Sequence, residues 1–526
     1  MLEFSAFLLL AAFYLLINMP YRGLLCHQDA GWHSYWGAFR AKGVTLRYQE
    51  NVLLGCTRLG CAFLFAFWFK IFGVQNPDRL ARNVAQGGNI VVVGAFVFVG
   101  IESGLVDSGV AWVFAGLFFL LMSFPTLAVH YESAERTANL FDVFIFLGAM
   151  FAFLNPQPAW IGVFVFVAVL TALLIKVTQL APYGVVWGAL FFAHPGQTMF
   201  IFSVLGCLCA VSIFVAILWR TDLLRKENLG VFGYASHSAN TANSGQFEDL
   251  EQKIGGKLGG GKFSLLAVRL GRLLGVERIL LLYGSALSAK AFLPMVIGSL
   301  SGTILMAIVG AYFVEGPIVT ISLAWLSGAM VALLAQGRYF PFHCIPLVLP
   351  VAILAAAGWW RVEEALFDGA GGFFLVLAVL GAVLTLFGVF KAFRGRAGEE
   401  FDYRFWPLEM RPILKKNKIA EQAARYVSER TEADDFVLVL GTLPQFFVLA
   451  ERRCPINWLS TSAKLMDPIL PEWKAIFLEN LKTRQPRYVL DIDQDLPTAE
   501  IEAAVGASYL CETEFGGQAC LYRIND

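Results

Sequence analysis

The sequence predicts a polytopic α-helical membrane protein that carries a C-terminal soluble α/β domain. Three observations predict it. Long apolar runs recur through the first 393 residues. Charged residues are only 15% of the 526, against about 25% in a soluble domain. After residue 394 the pattern changes to short buried strands alternating with helices. Hydrophobic residues reach 57% and the mean hydropathy is +0.63. A transmembrane β-barrel is excluded, because its strands would alternate apolar and polar residues. Net charge is zero, so charge singles out no partner, and no nucleic acid is expected.

The apolar runs predict spans at 3–19, 88–102, 109–129, 140–156, 158–176, 182–194, 198–219, 292–313, 316–335, 339–360 and 370–393. The first has no basic stretch before it and no small-residue cleavage site, so it reads as a retained span rather than a signal peptide. Residues 52–73 are apolar but hold Arg58 and Lys70, and 263–290 mix Leu and Ile with Arg and Lys. Both suit helices lying along the interface as well as they suit spans. The expectation is therefore roughly 11–13 transmembrane helices with interfacial helices. Residues 220–262, rich in Ser, Asn and Gly, read as a flexible loop.

Beyond residue 394, "DDFVLVLG", "PINWL" and "PRYVLDID" read as strands, helical patterns cover 411–430, 443–452, 470–484 and 497–507, and the end reads as a hairpin around Gly516–Gly517. The predicted division is a membrane domain, 1–393, with a first external loop at 20–87, and an extramembrane α/β domain, 394–526. Nine cysteines are scattered without metal-ligand spacing. Cys511 and Cys520 could face each other across the hairpin, and a disulfide there would suit an oxidising compartment.

If 52–73 and 263–290 lie flat and every other run crosses once, the loops at 20–87, 130–138, 177–181 and 220–291, Arg338 and the C-terminal domain share one face. The opposite face keeps only turns such as "NPQP" and "EGP". The polar face holds most of the Lys and Arg, which by the positive-inside rule would make it cytoplasmic.

Chemistry-bearing residues fall in three sets. In "CHQDAGWHSYWGAFRAKG" (26–43), Asp29 and His33 are four apart, as are Trp32 and Trp36. Asp29 reads either as the cap of an interfacial helix or as a carboxylate held at the membrane rim as a base or metal ligand. In "HYESAERTANLFDVFIFLG" (130–148), Glu132, Glu135, Asn139 and Asp142 lie on one helix face. Asp142 precedes an apolar run, where an acid costs about 2.5–3.5 kcal/mol to insert, so it is a functional candidate unless a nearby base pairs with it. Lys176 closes one span and Arg338 opens another, with His343 further in. Either they are snorkelling anchors, or they face an anionic lipid.

At these residues the chain resembles the type-C glycosyltransferases (GT-C fold), polytopic enzymes that use polyprenyl-phosphate-linked sugar donors. The nearest branch is the bacterial relatives of protein O-mannosyltransferase and of the lipid A aminoarabinose transferase. The family's acid, Gly, Tyr, Gly pattern reads here Asp29, Gly31, Tyr35 and Gly43, with Ala30 where relatives often have Glu. "FWFKIFGVQNPDRLARN" (67–83), Asp142 in "TANLFDVFIFL", Lys176 in "LLIKVTQLAPYG" and "GRYFPFHCIPLVLPVAIL" follow in the family's order.

The resemblance implies sugar transfer with inversion at the periplasmic or exterior face of a bacterial inner membrane, against the charge bias. It implies Asp29 as catalytic base, Asp142 as a second acid with Glu132 as its substitute, and Lys176, Arg338 and His343 as the donor-phosphate set. The acceptor would be a lipid, glycan or protein hydroxyl. Members differ in metal use. If a metal binds here, Asp29 and Asp142 offer hard oxygen ligands suited to Mg²⁺ or Mn²⁺. No dinucleotide fingerprint or P-loop occurs. A transporter or lipid flippase is the main rival, and it would need charges spread through the bilayer. A non-catalytic envelope assembly factor is the other.

Overall fold

In the computed structural model, the described residues are 2–19, 28–43, 59–124, 134–220, 292–336, 344–369, 372–393, 411–441, 443–456, 471–492, 498–517 and 519–525. The chain forms two compact units. One comprises 1–21, 86–129 and 135–407, the other 22–85, 130–134 and 408–526.

The first unit is all-helical. Its elements are α1 (Leu2–Asn18), the second half of α4 (Pro77–Gly94, continuing through a π-helical turn, Ala95–Val99, to Glu102), α5 (Ser108–Met122), α6 (Ala134–Leu154) and α7 (Pro158–Leu174). They continue as α8 (Leu180–Ala193), α9 (Gln197–Arg220), α10 (Phe292–Phe313), α11 (Pro317–Gln336), α12 (Ile345–Phe367) and α13 (Gly372–Phe393). Each follows an apolar run of the sequence. Five described helices are long and apolar enough to cross a membrane: Arg79–Glu102, Thr137–Leu154, Gln197–Arg220, Ile345–Phe367 and Gly372–Phe390. Shorter apolar helices accompany them.

Burial ranks these helices. The apolar window of α12 is 72% buried, those of α9 and α13 only 17% and 11%. Exposed rings and branched chains such as Phe202, Leu208, Phe387 and Phe390 stud the two outer helices, which is how a lipid-facing surface is composed. The chain is an integral membrane protein. With little hydrophobic force between helices in lipid, close packing must hold the bundle, and small residues permit it. Helices α10 and α12 meet at Gly310 and Gly358, where an added Cβ on either would collide with the other helix's backbone at the Leu354 or Met306 carbonyl. Polar side chains elsewhere in this unit find one another. Asn18 donates to Ser123 at 2.8 Å, Asn89 to the Tyr14 hydroxyl at 2.7 Å, and Trp187 to Ser203 at 3.0 Å.

The second unit combines α2 (Gln28–Ala41), α3 (Leu59–Phe72) and the start of α4 with α14 (Arg411–Ser428), β1 (Val437–Leu440), α15 (Gln445–Ala450), α16 (Pro471–Thr483), β2 (Tyr488–Asp491), α17 (Thr498–Val505), β3 (Tyr509–Phe515) and β4 (Ala519–Ile524). Its four-stranded sheet has the order β1-β2-β4-β3. The β1–β2 pair is parallel, with Val437 opposite Tyr488, and every residue of both strands is buried, the pattern of a sheet covered on both faces. Strands β3 and β4 form the expected hairpin, with Gly516 and Gly517 at positive φ in its turn. A disulfide joins Cys511 to Cys520 across it.

In "PINWL", Pro455 and Ile456 form a bend, not a strand, and the rest lies outside the described residues. The polar loop at 220–262 and the segment 263–290 also lie outside them, apart from Arg220. The 52–73 segment yields α3, which packs in this unit through Leu59, Phe65 and Phe69. Buried Arg452 ties two helix ends together. Its guanidinium donates to the carbonyls of Ala450 at 2.9 Å and Ser428 at 3.0 Å, and to Thr431 Oγ1 at 2.7 Å, satisfying orphan carbonyls. Burial pushes the neighbouring Cys454 thiol up to about 12.

Two outcomes follow from this packing. Gly310→Val should abolish monodisperse protein in size-exclusion chromatography, while Gly188→Val, where an added Cβ meets open space, should purify like the parent. Cys454, held as a thiol, should resist iodoacetamide at pH 9 in the native protein and react fully in denaturant, as read by peptide mass spectrometry. Because the folded form keeps the proton that an unfolded thiol sheds near pH 9, this group's contribution to stability is complete below pH 9. It is lost as pH rises toward 12.

Candidate active site

In the first unit the site is built around Asp142. It lies two turns into α6, and both it and Asn139, one turn earlier, are fully buried. The Tyr183 hydroxyl donates to Asp142 Oδ1 at 2.6 Å. Tyr183 stands one turn into α8, after the Ile175–Lys176 break and the 3₁₀ turn Val177–Gln179. Its ring meets Trp325 of α11 edge to face, 5.4 Å between centroids. Helices α8 and α11 approach this closely because Gly328 lies against Ala181 and Pro182, where a Cβ would clash with backbone.

Several polar atoms here stay unmatched. Asp142 Oδ2, both amide atoms of Asn139, both amide atoms of Gln179, Ser322 Oγ and Trp325 Nε1 are buried and have no hydrogen-bond partner among the described residues. Each unmatched residue other than Asp142 and Trp325 sits one helical turn from a member of the Asp142–Tyr183–Trp325 contact. Asn139 is three before Asp142, Gln179 four before Tyr183, and Ser322 three before Trp325. That spacing puts each on the face of its partner. Lys176, also buried, lies where α7 gives way to the 3₁₀ turn. A carboxylate and two amides offer acceptors and donors without a full complement of partners, which is the composition of a polar-ligand site in an apolar bundle.

In the second unit, Asp29 lies in the first turn of α2; its side chain is outside the described set. The rest of its motif has physical roles there. Gly31 lets α2 touch the Pro444–Gln445 backbone at the start of α15. Tyr35 is fully buried, its hydroxyl accepting from the Cys454 N–H at 3.0 Å and its ring edge-on to Phe39 and Phe447. Gly43, φ 77°, ends the helix in the left-handed conformation. Lys42 pairs with Glu451 at 2.6 Å, and Asn76 donates to Glu421 at 3.0 Å. The helix that carries Asp29 is thus docked on the C-terminal α/β layers.

Of the predicted site residues, Asp142 and Lys176 are described in the first unit and Asp29 belongs to the second. Glu132, Arg338 and His343 lie outside the described residues. Among the described residues no three His, Cys, Asp or Glu side chains cluster as metal ligands. Sequence reasoning missed Tyr183, Gln179, Ser322 and Trp325. The available signal was polar and aromatic side chains at three- and four-residue spacing inside apolar runs.

No protein-family model matches the chain, and no curated protein matches it. Solved structures do. ArnT from Cupriavidus metallidurans bound to undecaprenyl phosphate is similar over 99% of this chain and 97% of its own, with a TM-score of 0.56 at 12% identity. The same protein in the apo state gives 0.55 at 11% identity over 99% and 98%. The fold of this chain is that of ArnT, a GT-C-type bundle of membrane helices with a C-terminal α/β part.

Proposed function

We propose that the chain is an inverting glycosyltransferase that moves a sugar from a polyprenyl-phosphate donor to a hydroxyl acceptor at the external face of the membrane. The observation that carries this is the buried Asp142–Tyr183 pair within an ArnT-like fold. An intramembrane acid is retained for function rather than for stability. The match to a structure bound to undecaprenyl phosphate supports a polyprenyl phosphate as the lipid.

In this reading Asp29 takes the proton of the acceptor hydroxyl as its oxygen attacks the anomeric carbon. The bond from that carbon to the phosphate oxygen breaks, and the lipid phosphate leaves. Asp142, or Glu132 in its place, stabilises the oxocarbenium-like sugar between bond breaking and bond making. Lys176, Arg338 and His343 offset the charge on the departing phosphate. The Cys511–Cys520 disulfide supports an oxidising, external location for the α/β part, against the charge bias of the loops.

Two measurements test this. In a purified, folded preparation, Asp29→Asn should lower turnover by about 10²–10⁴-fold, the usual weight of a general base, while donor lipid still binds. A transporter or scaffold would be indifferent to that change. For orientation, a C-terminal alkaline phosphatase fusion should be active in cells and a green fluorescent protein fusion dark. The opposite pair of results would put the site on the cytoplasmic face.

A further inference from the structure

We infer that Glu451 is a positioning residue for Asp29: its carboxylate latches Lys42 at the far end of α2 and so fixes the axis of the helix whose first turn carries Asp29. This rests on the reading of Asp29 as the catalytic base and goes beyond it by assigning a residue of the α/β layers to its placement.

The backbone singles out Glu451. It ends α15 in the left-handed conformation, with φ 55° and ψ 37°. A Cβ is disfavoured there, so glycine is the usual helix stop and asparagine its usual substitute. Among the described residues every other positive φ belongs to a glycine, including Gly43 at the end of α2. The Glu451 backbone is held on both sides. Its N–H donates to the Phe447 carbonyl. Arg452 donates to the Glu451 carbonyl at 3.3 Å and to the Ala450 carbonyl at 2.9 Å. A residue kept in such a conformation by its surroundings points to a function that outweighs stability.

The side chain supplies that function. Lys42 Nζ donates to Glu451 Oε2 at 2.6 Å, across 409 residues of sequence. Both side chains are nearly half exposed, and an exposed ion pair adds little stability. With strain against a glutamate and only a weak pair for it, stability alone would favour glycine. Asparagine would bring no charge for Lys42. The neighbouring cations are committed elsewhere. Arg40 lies over the Trp36 and Phe63 rings at 4.8 and 5.4 Å, and Arg453 pairs with Asp434 at 3.4 Å.

Geometry gives the latch its leverage. Helix α2 follows α15 in the same direction: Gly31 meets the Pro444–Gln445 backbone, Tyr35 meets Phe447 and the Cys454 N–H, and Lys42 meets Glu451. At the helical rise, Gly31 and Tyr35 are about 6 Å apart along the axis, and Lys42 is about 16 Å beyond Gly31. Two anchors one turn apart leave the axis free to tilt, and a third at the opposite end fixes it. A misplacement of about 1 Å at a reacting group costs on the order of 10²-fold in rate.

The test uses the full chain in nanodiscs and reads hydrogen–deuterium exchange of the 28–41 amides by mass spectrometry. Glu451→Gly and Lys42→Met should each speed that exchange by about 5-fold or more, with no fall in melting temperature. Lys42→Glu combined with Glu451→Lys should restore the wild-type exchange. Turnover is followed as release of undecaprenyl phosphate from the same lipid bearing glucose, mannose or 4-amino-4-deoxyarabinose, with a total membrane lipid extract as acceptor. In both single variants kcat should fall about 10-fold or more, with the donor KM within about 2-fold, and it should recover in the swapped pair.

Wild-type exchange in both single variants overturns the latch, as does faster exchange that the swapped pair does not restore. A lower melting temperature in Glu451→Gly would make the glutamate a stabilising residue and overturn it too. Faster exchange with unchanged kcat would remove the positioning role. Lys42→Met leaves the backbone at 451 as it is, so poor folding of the glycine variant does not shield the inference. If Asp29→Asn releases as much undecaprenyl phosphate as the wild type, the enzymatic reading fails, and the exchange result still decides the latch separately.

Discussion

A single hydrogen bond organises the helical unit: Tyr183 to Asp142, 2.6 Å, inside an apolar bundle. Placing an acid at that depth costs about 2.5–3.5 kcal/mol. One hydrogen bond to a charged group returns about 1.5–3 kcal/mol. The two nearly cancel, so Asp142 adds nothing to the stability that an apolar residue would not exceed. What it does constrain is geometry. The Tyr183 ring must face α6, so α8 begins only after the chain breaks at Ile175–Lys176 and turns. With Trp325 against Tyr183, α11 must lie close to α8, which needs a residue without a Cβ at Gly328. An acid, a tyrosine, a tryptophan and a glycine on three helices are therefore consequences of one contact.

The second unit shows how a motif can divide between scaffold and chemistry. Gly31, Tyr35 and Gly43 supply close approach, an anchor and a helix stop. None of these duties requires an acid at position 29, one turn from nothing but the helix start. Docking α2 on α15 and on the segment after it fixes the backbone from which Asp29 projects, which is the condition a positioned base must meet. The α/β layers then serve α2 as a foundation, and Arg452, knitting the ends of α14 and α15, stiffens that foundation.

What the sequence revealed follows from the range of the forces involved. Apolar runs are local, and α1, α3, the later half of α4 and the helices from α5 to α13 lie where those runs lie, most boundaries agreeing within a few residues, whereas the polar α2 follows no such run. Strands β1 and β2 and the terminal hairpin were equally legible from short buried runs and a Gly-Gly turn. The grouping of residues 22–85 with 408–526 was not, because the contact that joins them, Tyr35 to Cys454, spans 419 residues of sequence and no periodicity encodes it. Within the site, Asp142 stood out because charge is rare in an apolar run. Gln179, Ser322 and Trp325 did not, since uncharged polar and aromatic residues occur in many membrane helices without consequence. Only their unmatched atoms distinguish them.

That contrast carries a physical argument about how an amphiphilic donor would be sorted. A lipid-linked sugar has a charged phosphate and an uncharged ring, and a protein that binds both in one bundle must keep the two recognitions apart. Full charges act over long distances where water is scarce, so a cation near the ring would draw the phosphate into the wrong place. Neutral amides act only at hydrogen-bond range. Along the chain from Lys176 the residues run cation, amide, phenol at positions 176, 179 and 183, with the charge at the break between helices, the amide at the end of the 3₁₀ turn and the phenol in α8. On the proposed reading this order matches the donor, with phosphate toward the helix ends and sugar toward Asp142. It gives a reason for an amide, rather than a second lysine, to follow Lys176 by one turn.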